Sequence, residues 1–266
     1  MPAENRQLLF ESLFADARAI EILDRVWFLF GDLVIVSADN RGGGALVAMS
    51  RETGRVAWKQ QRPKMANYTS PIVFRVAGRD QALMVGTNLV SSYDPATGKK
   101  LWEIAGATTE CVTSVVTDGT RIFTSGGYPR NHVQAVLADG SGKTAWQNKQ
   151  RVYVPSMVAH DGTLYAVLDA GIATAWDTVT GKTLWKKRLG GTFTSSLVLA
   201  DGNLYATDES GLTTVFAASR EGLQIKAKNR LGHQTYSSMA ICGGRIFHRV
   251  ARMDGARHEW LYCLGR

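Results

Sequence analysis

Thr97-Gly98-Lys99-Lys100-Leu101-Trp102 is one copy of a motif that occurs four times: Thr or Ser, Gly, a basic residue, two further residues and Trp. The other copies are Thr53–Trp58, Ser141–Trp146 and Thr180–Trp185. The four tryptophans follow one another at intervals of 44, 44 and 39 residues. Such an interval matches the length of one four-stranded propeller blade. The repeat therefore predicts an all-β propeller built of four-stranded blades.

A second repeated element precedes the Trp motif: a Ser, a short apolar run, Asp-Gly, and another apolar run. Its copies are Ser114–Phe123, Ser156–Tyr165 and Ser196–Tyr205, with a degenerate copy at Ser238–Phe247 and an opening fragment at Ser70–Phe74. Asp-Gly between apolar runs predicts a tight hairpin, because both turn residues adopt positive φ. The two elements together supply four strands per unit, and about five to six blades are expected.

The repeat units weaken towards the end of the chain. The fifth unit lacks the Trp motif, and we expect Ile225 at the position of the Trp. The sixth unit ends with 258–264 as its third strand and has no outer strand of its own. Atypical terminal units are common in repeat arrays.

The first 28 residues differ from the rest. Leu9, Leu13, Ala17 and Ile20 recur at helical spacing, which predicts a helical or irregular segment over 1–28 and a repeat domain over 29–266. These residues lack the features of a secretory signal, and no apolar stretch reaches the roughly 20 residues that a membrane span needs. The chain as written is therefore expected to be cytoplasmic, with no membrane span.

The charge of the chain is basic, with a net charge of +8. Lys and Arg are spread through the turns and form no run of five, so we interpret them as a solvated surface and do not expect nucleic acid as a partner. Of the three cysteines, Cys242 and Cys263 lie in neighbouring predicted strands. They form either a disulfide or, as the preferred interpretation, two small buried residues.

The Thr-Gly-Lys-x-x-Trp motif with its preceding Asp resembles the PQQ-like (quinoprotein-type) β-propeller repeat over about 31–266. The closest resemblance is to uncharacterised bacterial PQQ-like repeat proteins, and the chain is also similar to the propeller lipoprotein of the outer-membrane β-barrel assembly machinery. Family propellers commonly have seven or eight blades and are exported. The resemblance therefore implies an N-terminally truncated protein, and a periplasmic or secreted location.

In this family the repeated Trp docks on a glycine-containing peptide of a neighbouring blade, so the resemblance assigns the motif residues to blade docking. These residues are Gly54, Trp58, Gly98, Trp102, Gly142, Trp146, Gly181 and Trp185. Quinoprotein dehydrogenases use adjacent cysteines and a calcium ion held by Glu, Asn and Asp. Neither pattern occurs in this sequence, so we predict no catalytic, cofactor-binding or metal-binding residues, with PQQ and calcium as the alternative.

A candidate binding surface remains at the mouth of the predicted central channel, on the residues that precede each first strand. The candidates are Asn67, Tyr68, Glu110, Tyr153, Phe193, His233 and Tyr236. Propellers often bind ligands on this face, which is an argument from fold alone.

The favoured function is a non-enzymatic scaffold of the cell envelope that binds a protein or peptide, at the channel mouth or by strand addition at an exposed sheet edge. The alternative is a PQQ-dependent oxidoreductase or a carbohydrate-active propeller. The sequence predicts neither the identity of the partner nor the oligomeric state.

Overall fold

The structure, a computed structural model, describes residues 27–265, and these residues form strands, turns and loops without any helix. Twenty-three strands are arranged in six antiparallel sheets in chain order, five with four strands and the last with three. Each sheet is a meander in which every strand pairs with its sequence neighbour. This is the all-β propeller architecture that the repeat predicts, with one sheet per repeat unit.

The strand bounds follow the repeat. The first sheet contains β1 (Trp27–Phe30), β2 (Leu33–Ser37), β3 (Gly44–Ser50) and β4 (Val56–Arg62). The second contains β5 (Ile72–Val76), β6 (Arg79–Gly86), β7 (Leu89–Tyr93) and β8 (Lys100–Ala105). The third contains β9 (Val116–Thr117), β10 (Arg121–Gly126), β11 (His132–Leu137) and β12 (Thr144–Asn148).

The remaining strands build the other three sheets. The fourth contains β13 (Val158–His160), β14 (Thr163–Leu168), β15 (Ile172–Asp177) and β16 (Thr183–Arg188). The fifth contains β17 (Val198–Ala200), β18 (Asn203–Thr207), β19 (Leu212–Ala217) and β20 (Ile225–Arg230). The sixth contains β21 (Ala240–Cys242), β22 (Arg245–Asp254) and β23 (Ala256–Leu264), so it has no outer strand among residues 27–265, as expected.

The first blade begins earlier than the sequence predicts. Trp27 and Phe28, assigned to the N-terminal segment 1–28, lie in β1, which pairs with β2 across a turn at Gly31 (φ +55°). The turn sequence is Gly-Asp and not Asp-Gly, so the sequence pattern did not predict this hairpin. The rest of the predicted N-terminal segment lies outside the described residues.

Two of the three Asp-Gly turns have the backbone that the motif predicts. At Asp161-Gly162 and Asp201-Gly202 both residues have positive φ, as a two-residue hairpin turn demands. At Asp118-Gly119 only the glycine does.

The chain divides into two compact units, and the boundary falls within the third sheet. The first unit extends to Thr124 and includes Tyr128–Arg130 and Val136–Thr144; the second includes Ser125–Gly127, Asn131–Ala135 and the chain from Ala145 onward. Each has its own apolar core between the faces of consecutive sheets. In the first unit, Ile35 and Leu46 pack with Met84 of the next sheet; in the second, Tyr165 and Val167 pack with Leu204 of the next sheet.

In the fifth sheet, the residue predicted at the position of the motif Trp is wrong by two positions. In the first, second and fourth sheets, the motif Trp of the last strand pairs with a residue of the third strand next to a register shift. The pairs are Trp58 with Ala48, Trp102 with Ser92 and Trp185 with Ala175. The corresponding pair in the fifth sheet is Val215 with Ala227. Ala227, and not Ile225, therefore occupies the position of the Trp. Ile225 is 46% exposed.

Candidate functional site

Two of the four motif tryptophans pack on the glycine of the following sheet. A Cβ on Gly98 would lie 2.6 Å from ring carbons of Trp58, and the Trp58 Nε1–H donates to the carbonyl of Pro95 at 3.1 Å. Trp146 packs on Gly181 in the same way and donates to the carbonyl of Thr178 at 2.8 Å. Glycine is required at these turns both for its positive φ and for the approach of the indole.

The other two tryptophans are buried differently. The Nε1–H of Trp102 donates to Gln81 at 2.8 Å, and Ile104, not Trp102, fills the space beside Gly142. Trp185 donates to the carbonyl of Ser219 at 2.9 Å and packs between Tyr165 and Phe216, with ring centroids 6.3 and 6.4 Å away. Gly54 adopts φ +71° and is buried, although the turn residues on both sides of it are exposed. The predicted glycine contact is therefore present for Trp58 and Trp146 and replaced by other partners for Trp102 and Trp185.

The repeated serines form a hydrogen-bonded series in the second unit. The backbone N–H of Ser156 donates to the Ser196 hydroxyl at 3.0 Å, and that of Ser196 donates to the Ser238 hydroxyl at 2.8 Å. Each serine thus connects the start of one sheet to the start of the next. This connection accounts for the serines of the fourth, fifth and sixth sheets.

The connecting loops, which lead from the last strand of one sheet to the first strand of the next, lie at the end of the sheets opposite the Asp-Gly turns. Four predicted site residues of the second unit lie in these loops. Tyr153 is half-buried, and its N–H donates to an Asp169 carboxylate oxygen at 2.9 Å. Tyr236 is 50% exposed, and the exposed His233 accepts a hydrogen bond from the Met253 N–H through Nδ1 at 2.8 Å. Phe193 is buried in the core, so its ring is not available to a ligand.

Each of the two tyrosines carries an arginine over its ring. Arg151 lies 5.4 Å from the centroid of Tyr153, and Arg257 lies 6.0 Å from that of Tyr236. Arg257 also donates to the Gln234 side-chain oxygen at 2.6 Å. The guanidinium held over an aromatic face is a cation–π arrangement. The sequence pattern indicated neither arginine: Arg151 lies two residues from Tyr153 outside any motif, and Arg257 lies in β23 whereas Tyr236 lies in the loop before β21.

A shallow depression lies beside Tyr153 in the second unit. It has a volume of about 420 Å³ and is lined by Arg151, Leu168, Asp169, Ala170 and Thr192. One cation, one carboxylate and short apolar side chains thus surround it. The depression lies between the β14–β15 turn and the loops that connect the sheets, and the Phe193 N–H donates to the carbonyl of Asp169 in that turn at 3.0 Å.

The three candidates of the first unit have different environments. The Asn67 amide donates to the Thr69 hydroxyl at 2.8 Å and the Val85 carbonyl at 2.9 Å, and its oxygen accepts from the Cys111 N–H at 3.2 Å. Asn67 is therefore part of the scaffold. Tyr68 is 39% exposed, and its N–H donates to the Cys111 carbonyl at 3.0 Å. Glu110 is half-buried and forms an isolated bridge with Tyr128.

A buried ion pair in the first unit was not predicted. Nε of Arg62 lies 2.9 Å from each carboxylate oxygen of Asp39, and both side chains are 1% exposed. Burial raises the pKa of the Asp39 carboxyl, and Arg62 partly opposes this shift. The one available signal was spacing, because Arg62 lies four residues after Trp58 in β4 and shares its inward face.

Other ionisable groups serve as structural links. Asp177 accepts from the Val179 and Thr180 N–H groups in the Thr-Gly turn and pairs with Arg220 at 2.7 Å. The hydrogen bond from Arg220 lowers the pKa of Asp177 to about 2. Cys242 and Cys263 are free and exposed, so the prediction that they are buried is wrong: the sixth sheet leaves their strands uncovered.

Two searches over the described part of the chain gave negative results. Within residues 27–265, no group of three or more His, Cys, Asp or Glu side chains is arranged to hold a metal ion. The same residues contain no helix of the length and apolar character that a membrane-crossing helix requires.

Comparison with known structures identifies the same fold. BamB from Moraxella catarrhalis superposes with a TM-score of 0.65 at 14% identity, over 89% of this chain and 71% of that chain. Quinohemoprotein alcohol dehydrogenase from Comamonas testosteroni superposes with a TM-score of 0.65 at 12% identity, over 86% of this chain and 52% of that chain. A europium-containing methanol dehydrogenase superposes with a TM-score of 0.59 at 12% identity, over 78% of this chain and 50% of that chain. The chain thus spans about half the length of both dehydrogenases.

Sequence comparison is more specific than the structural one. A search of curated protein sequences finds no match. The family model described as "Outer membrane protein assembly factor BamB" matches residues 26–172 and 129–225, which is most of the chain. The repeat motifs, the six sheets and this match agree, and the chain belongs to the BamB-like family of PQQ-type β-propellers.

Proposed function

We propose that this chain is a non-enzymatic propeller scaffold whose connecting-loop surface in the second unit binds a protein or peptide partner. The observation that carries the proposal is the Arg151–Tyr153 pair at the border of the depression lined by Leu168 and Asp169. A surface aromatic ring combined with arginine is typical of protein-binding sites. Tyr236 and Arg257 repeat the combination in the sixth sheet.

The shape of the depression favours an extended chain over a compact ligand. Small-molecule sites enclose most of their ligand, whereas this depression is shallow and open to solvent. Arg151 suits a carboxylate or backbone carbonyl of the partner, and Asp169 suits an N–H or cationic group. A peptide backbone offers both kinds of group at regular intervals.

We also propose that PQQ and calcium have no part in this function. Three carboxylates are already ion-paired: Asp39 with Arg62, Asp118 with Arg121 and Asp177 with Arg220. The motif tryptophans are likewise engaged in packing between sheets. The likeness to dehydrogenases at 12% identity concerns the fold alone.

The proposed cellular role is cell-envelope assembly, with a periplasmic or other envelope location. The support is the family description, which names an outer membrane protein assembly factor. A scaffold in such a pathway needs protein partners, which agrees with the proposed surface.

Site-specific photo-crosslinking in the producing cell tests the proposal. A photoreactive phenylalanine analogue replaces Tyr153 or, separately, Tyr236, and adducts are identified by mass spectrometry. We expect the same protein to be captured from both positions, because both lie among the connecting loops of the second unit.

Val179 is the matched control, since it is 56% exposed in the same unit but lies in a Thr-Gly turn at the other end of its sheet. No adduct is expected there. Equal labelling from all three positions, or none from Tyr153 and Tyr236, would contradict the proposal.

A further inference from the structure

The outer strands of the fourth and fifth sheets carry an unbalanced positive charge. β16 reads Thr-Leu-Trp-Lys-Lys-Arg and β20 reads Ile-Lys-Ala-Lys-Asn-Arg, so neither strand contains an acidic residue. All of their cations are exposed: Lys186, Lys187, Arg188, Lys226, Lys228 and Arg230. Within residues 27–265, none of these cations forms an ion pair with a carboxylate.

The cations occupy matching positions in the two sheets. In each sheet, a lysine lies one position and an arginine three positions after the residue at the Trp position. These residues are Lys186 and Arg188 in the fourth sheet, and Lys228 and Arg230 in the fifth. In the first three sheets the same positions hold Lys59 and Gln61, Glu103 and Ala105, and Gln147 and Lys149. Among the four-stranded sheets, only these two therefore carry a cation at both positions.

The outer strands of the two sheets border a groove. Trp185 of β16 packs against Phe216 of β19 with ring centroids 6.4 Å apart, which places the fourth sheet beside the fifth. Because side chains alternate along a strand, Lys187 lies on the same face of β16 as Trp185, towards the fifth sheet. Lys228 and Arg230 lie on the face of β20 opposite to the Trp position, towards the fourth sheet. Lys187, Lys228 and Arg230 define the basic groove.

The basic groove opens towards the connecting loops of the second unit. β16 and β20 end at Arg188 and Arg230, and a connecting loop follows each of them. Nζ of Lys186 donates to the Gln150 side-chain oxygen at 3.0 Å, directly next in sequence to Arg151 of the connecting-loop surface. A partner bound to the connecting loops can therefore extend into the groove.

The spacing of the cations matches that of alternate side chains in an extended peptide. Lys228 and Arg230 are two residues apart in β20, which corresponds to about 6.6–6.8 Å. Carboxylates at alternate positions of an extended segment have the same spacing. Arg230 is also held in place, because its guanidinium donates to the Ser210 carbonyl at 2.8 Å. Neighbouring positive charges repel one another, and carboxylates placed between them would remove this repulsion.

The residue types of the groove favour an acidic peptide over a nucleic acid. Proteins that bind single-stranded nucleic acids combine a basic groove with aromatic side chains on which the bases stack. None of the exposed residues of β16 and β20 is aromatic, since the ring of Trp185 is buried between the sheets.

We propose that the basic groove binds an extended acidic segment of the partner protein, with Asp or Glu at alternate positions. The segment runs beside β20, and its carboxylates lie between Lys187 on one side and Lys228 and Arg230 on the other. The rest of the partner contacts the connecting loops. This proposal rests on the proposed scaffold function and names the chemistry of one partner segment.

A synthetic peptide of alternating glutamate and threonine with a fluorophore provides the probe. Fluorescence anisotropy measures its binding to the full chain. The double substitution Lys228→Gln and Arg230→Gln removes two charges of the groove, and we expect it to weaken binding about threefold to tenfold at about 0.1 M ionic strength. A peptide of the same composition with its glutamates in one block should also bind more weakly, because successive side chains of an extended segment point to opposite faces.

The matched control is the double substitution Lys182→Gln and Arg245→Gln. It also removes one lysine and one arginine, both exposed, but at the other end of the sheets of the same unit. We expect binding within about twofold of the parent chain, because charges beyond a Debye length of about 10 Å are largely screened. Circular dichroism checks that both variants are folded.

Two binding results would overturn the proposal. One is an equal loss of binding in both double variants, which would indicate general electrostatics. The other is that the peptide does not bind, whereas vesicles of anionic phospholipid or a single-stranded oligonucleotide bind in a manner that depends on Lys228 and Arg230. The groove would then recognise a different class of partner.

Photo-crosslinking separates this proposal from the scaffold function. We expect the adducts from Tyr153 and Tyr236 to decrease when Lys228→Gln and Arg230→Gln are present. Unchanged adducts would overturn the role of the groove and leave the scaffold function intact. No adducts in the parent chain would contradict the scaffold function and, with it, this proposal.

Discussion

The ion pair between Asp39 and Arg62 is the most deeply buried charge arrangement of the first unit. The pair joins the end of β2 to the end of β4, and Asn67 adds a donor to Asp39 at 3.3 Å. The two terminal nitrogens of Arg62 are buried without a hydrogen-bond partner. An arginine cannot release its proton in a protein, whereas a carboxylate with a raised pKa can become neutral. Removal of Asp39 therefore leaves a buried positive charge, whereas after removal of Arg62 the carboxyl can become neutral.

We predict that Asp39→Asn destabilises the chain more than Arg62→Met. Asp39→Asn leaves a buried guanidinium without its counter-charge, at a cost of about 3–5 kcal/mol. In Arg62→Met the carboxyl remains hydrogen-bonded to Asn67 and can take up a proton, so we expect about 1–3 kcal/mol. Urea unfolding at neutral pH measures both values. The opposite order would show that the carboxylate, not the guanidinium, is the group that needs its partner.

The Trp motif and the ion pair show what sequence can predict at the residue scale. Trp58 and Gly98 were assigned to blade docking through the family resemblance, which the repeated motif made visible in a single sequence. The contact of Asp39 with Arg62 joins residues 23 positions apart and occurs once, so no repeat indicates the pair, although the spacing from Trp58 marks Arg62 as inward-facing. Phe193 was predicted at a binding surface from its place in the repeat, but alternation at that position directs it into the core.

The turn between the third and fourth strands is the element that sets the spacing of each blade. In the second sheet, Asp94 accepts hydrogen bonds from the Ala96 and Thr97 N–H groups at 2.9 Å, and Gly98 follows with φ +73°. The register shift before Trp102 then brings the indole into position. In the fifth sheet the turn is longer, so Ala227 takes the Trp position. A difference in turn length is not apparent from residue types alone, which explains the wrong prediction for Ile225.

We predict that Gly98→Ala is much more destabilising than Gly78→Ala. Both glycines have positive φ, +73° and +80°, so each substitution carries a backbone cost of about 1–2 kcal/mol. At Gly78 nothing lies within 4 Å of an added Cβ, whereas at Gly98 the Trp58 ring lies at 2.6 Å. The displaced indole adds about 1–3 kcal/mol. Thermal unfolding measures the difference.

Equal losses at the two positions would mean that Trp58 moves aside without cost. The packing of the motif Trp on the next blade would then contribute little to stability, contrary to the role assigned to it. A Trp58→Phe background extends the comparison, because the smaller ring should reduce the difference between the two glycine substitutions.

At the scale of the molecule, the repeat was sufficient to predict the sheets but not the surfaces. The four Trp motifs and the Asp-Gly hairpins predicted about five to six blades, and the structure has six sheets in the described residues; β1 was missed because its turn is Gly-Asp. The binding surface depends on which loop side chains remain exposed. Tyr236 is exposed and Phe193 is not, although both precede the first strand of a blade. That difference arises from packing between sheets, to which a periodic sequence pattern is insensitive.

The central claim is that this BamB-like propeller acts as a scaffold without a bound quinone. Native mass spectrometry tests it most directly, on the chain purified from cells supplied with PQQ and calcium. We predict a species at the 29.0 kDa mass of the chain, or that mass plus a protein partner, with no quinone absorbance. A stoichiometric mass increase equal to PQQ plus calcium, with the matching quinone absorbance, would contradict the account and favour an oxidoreductase.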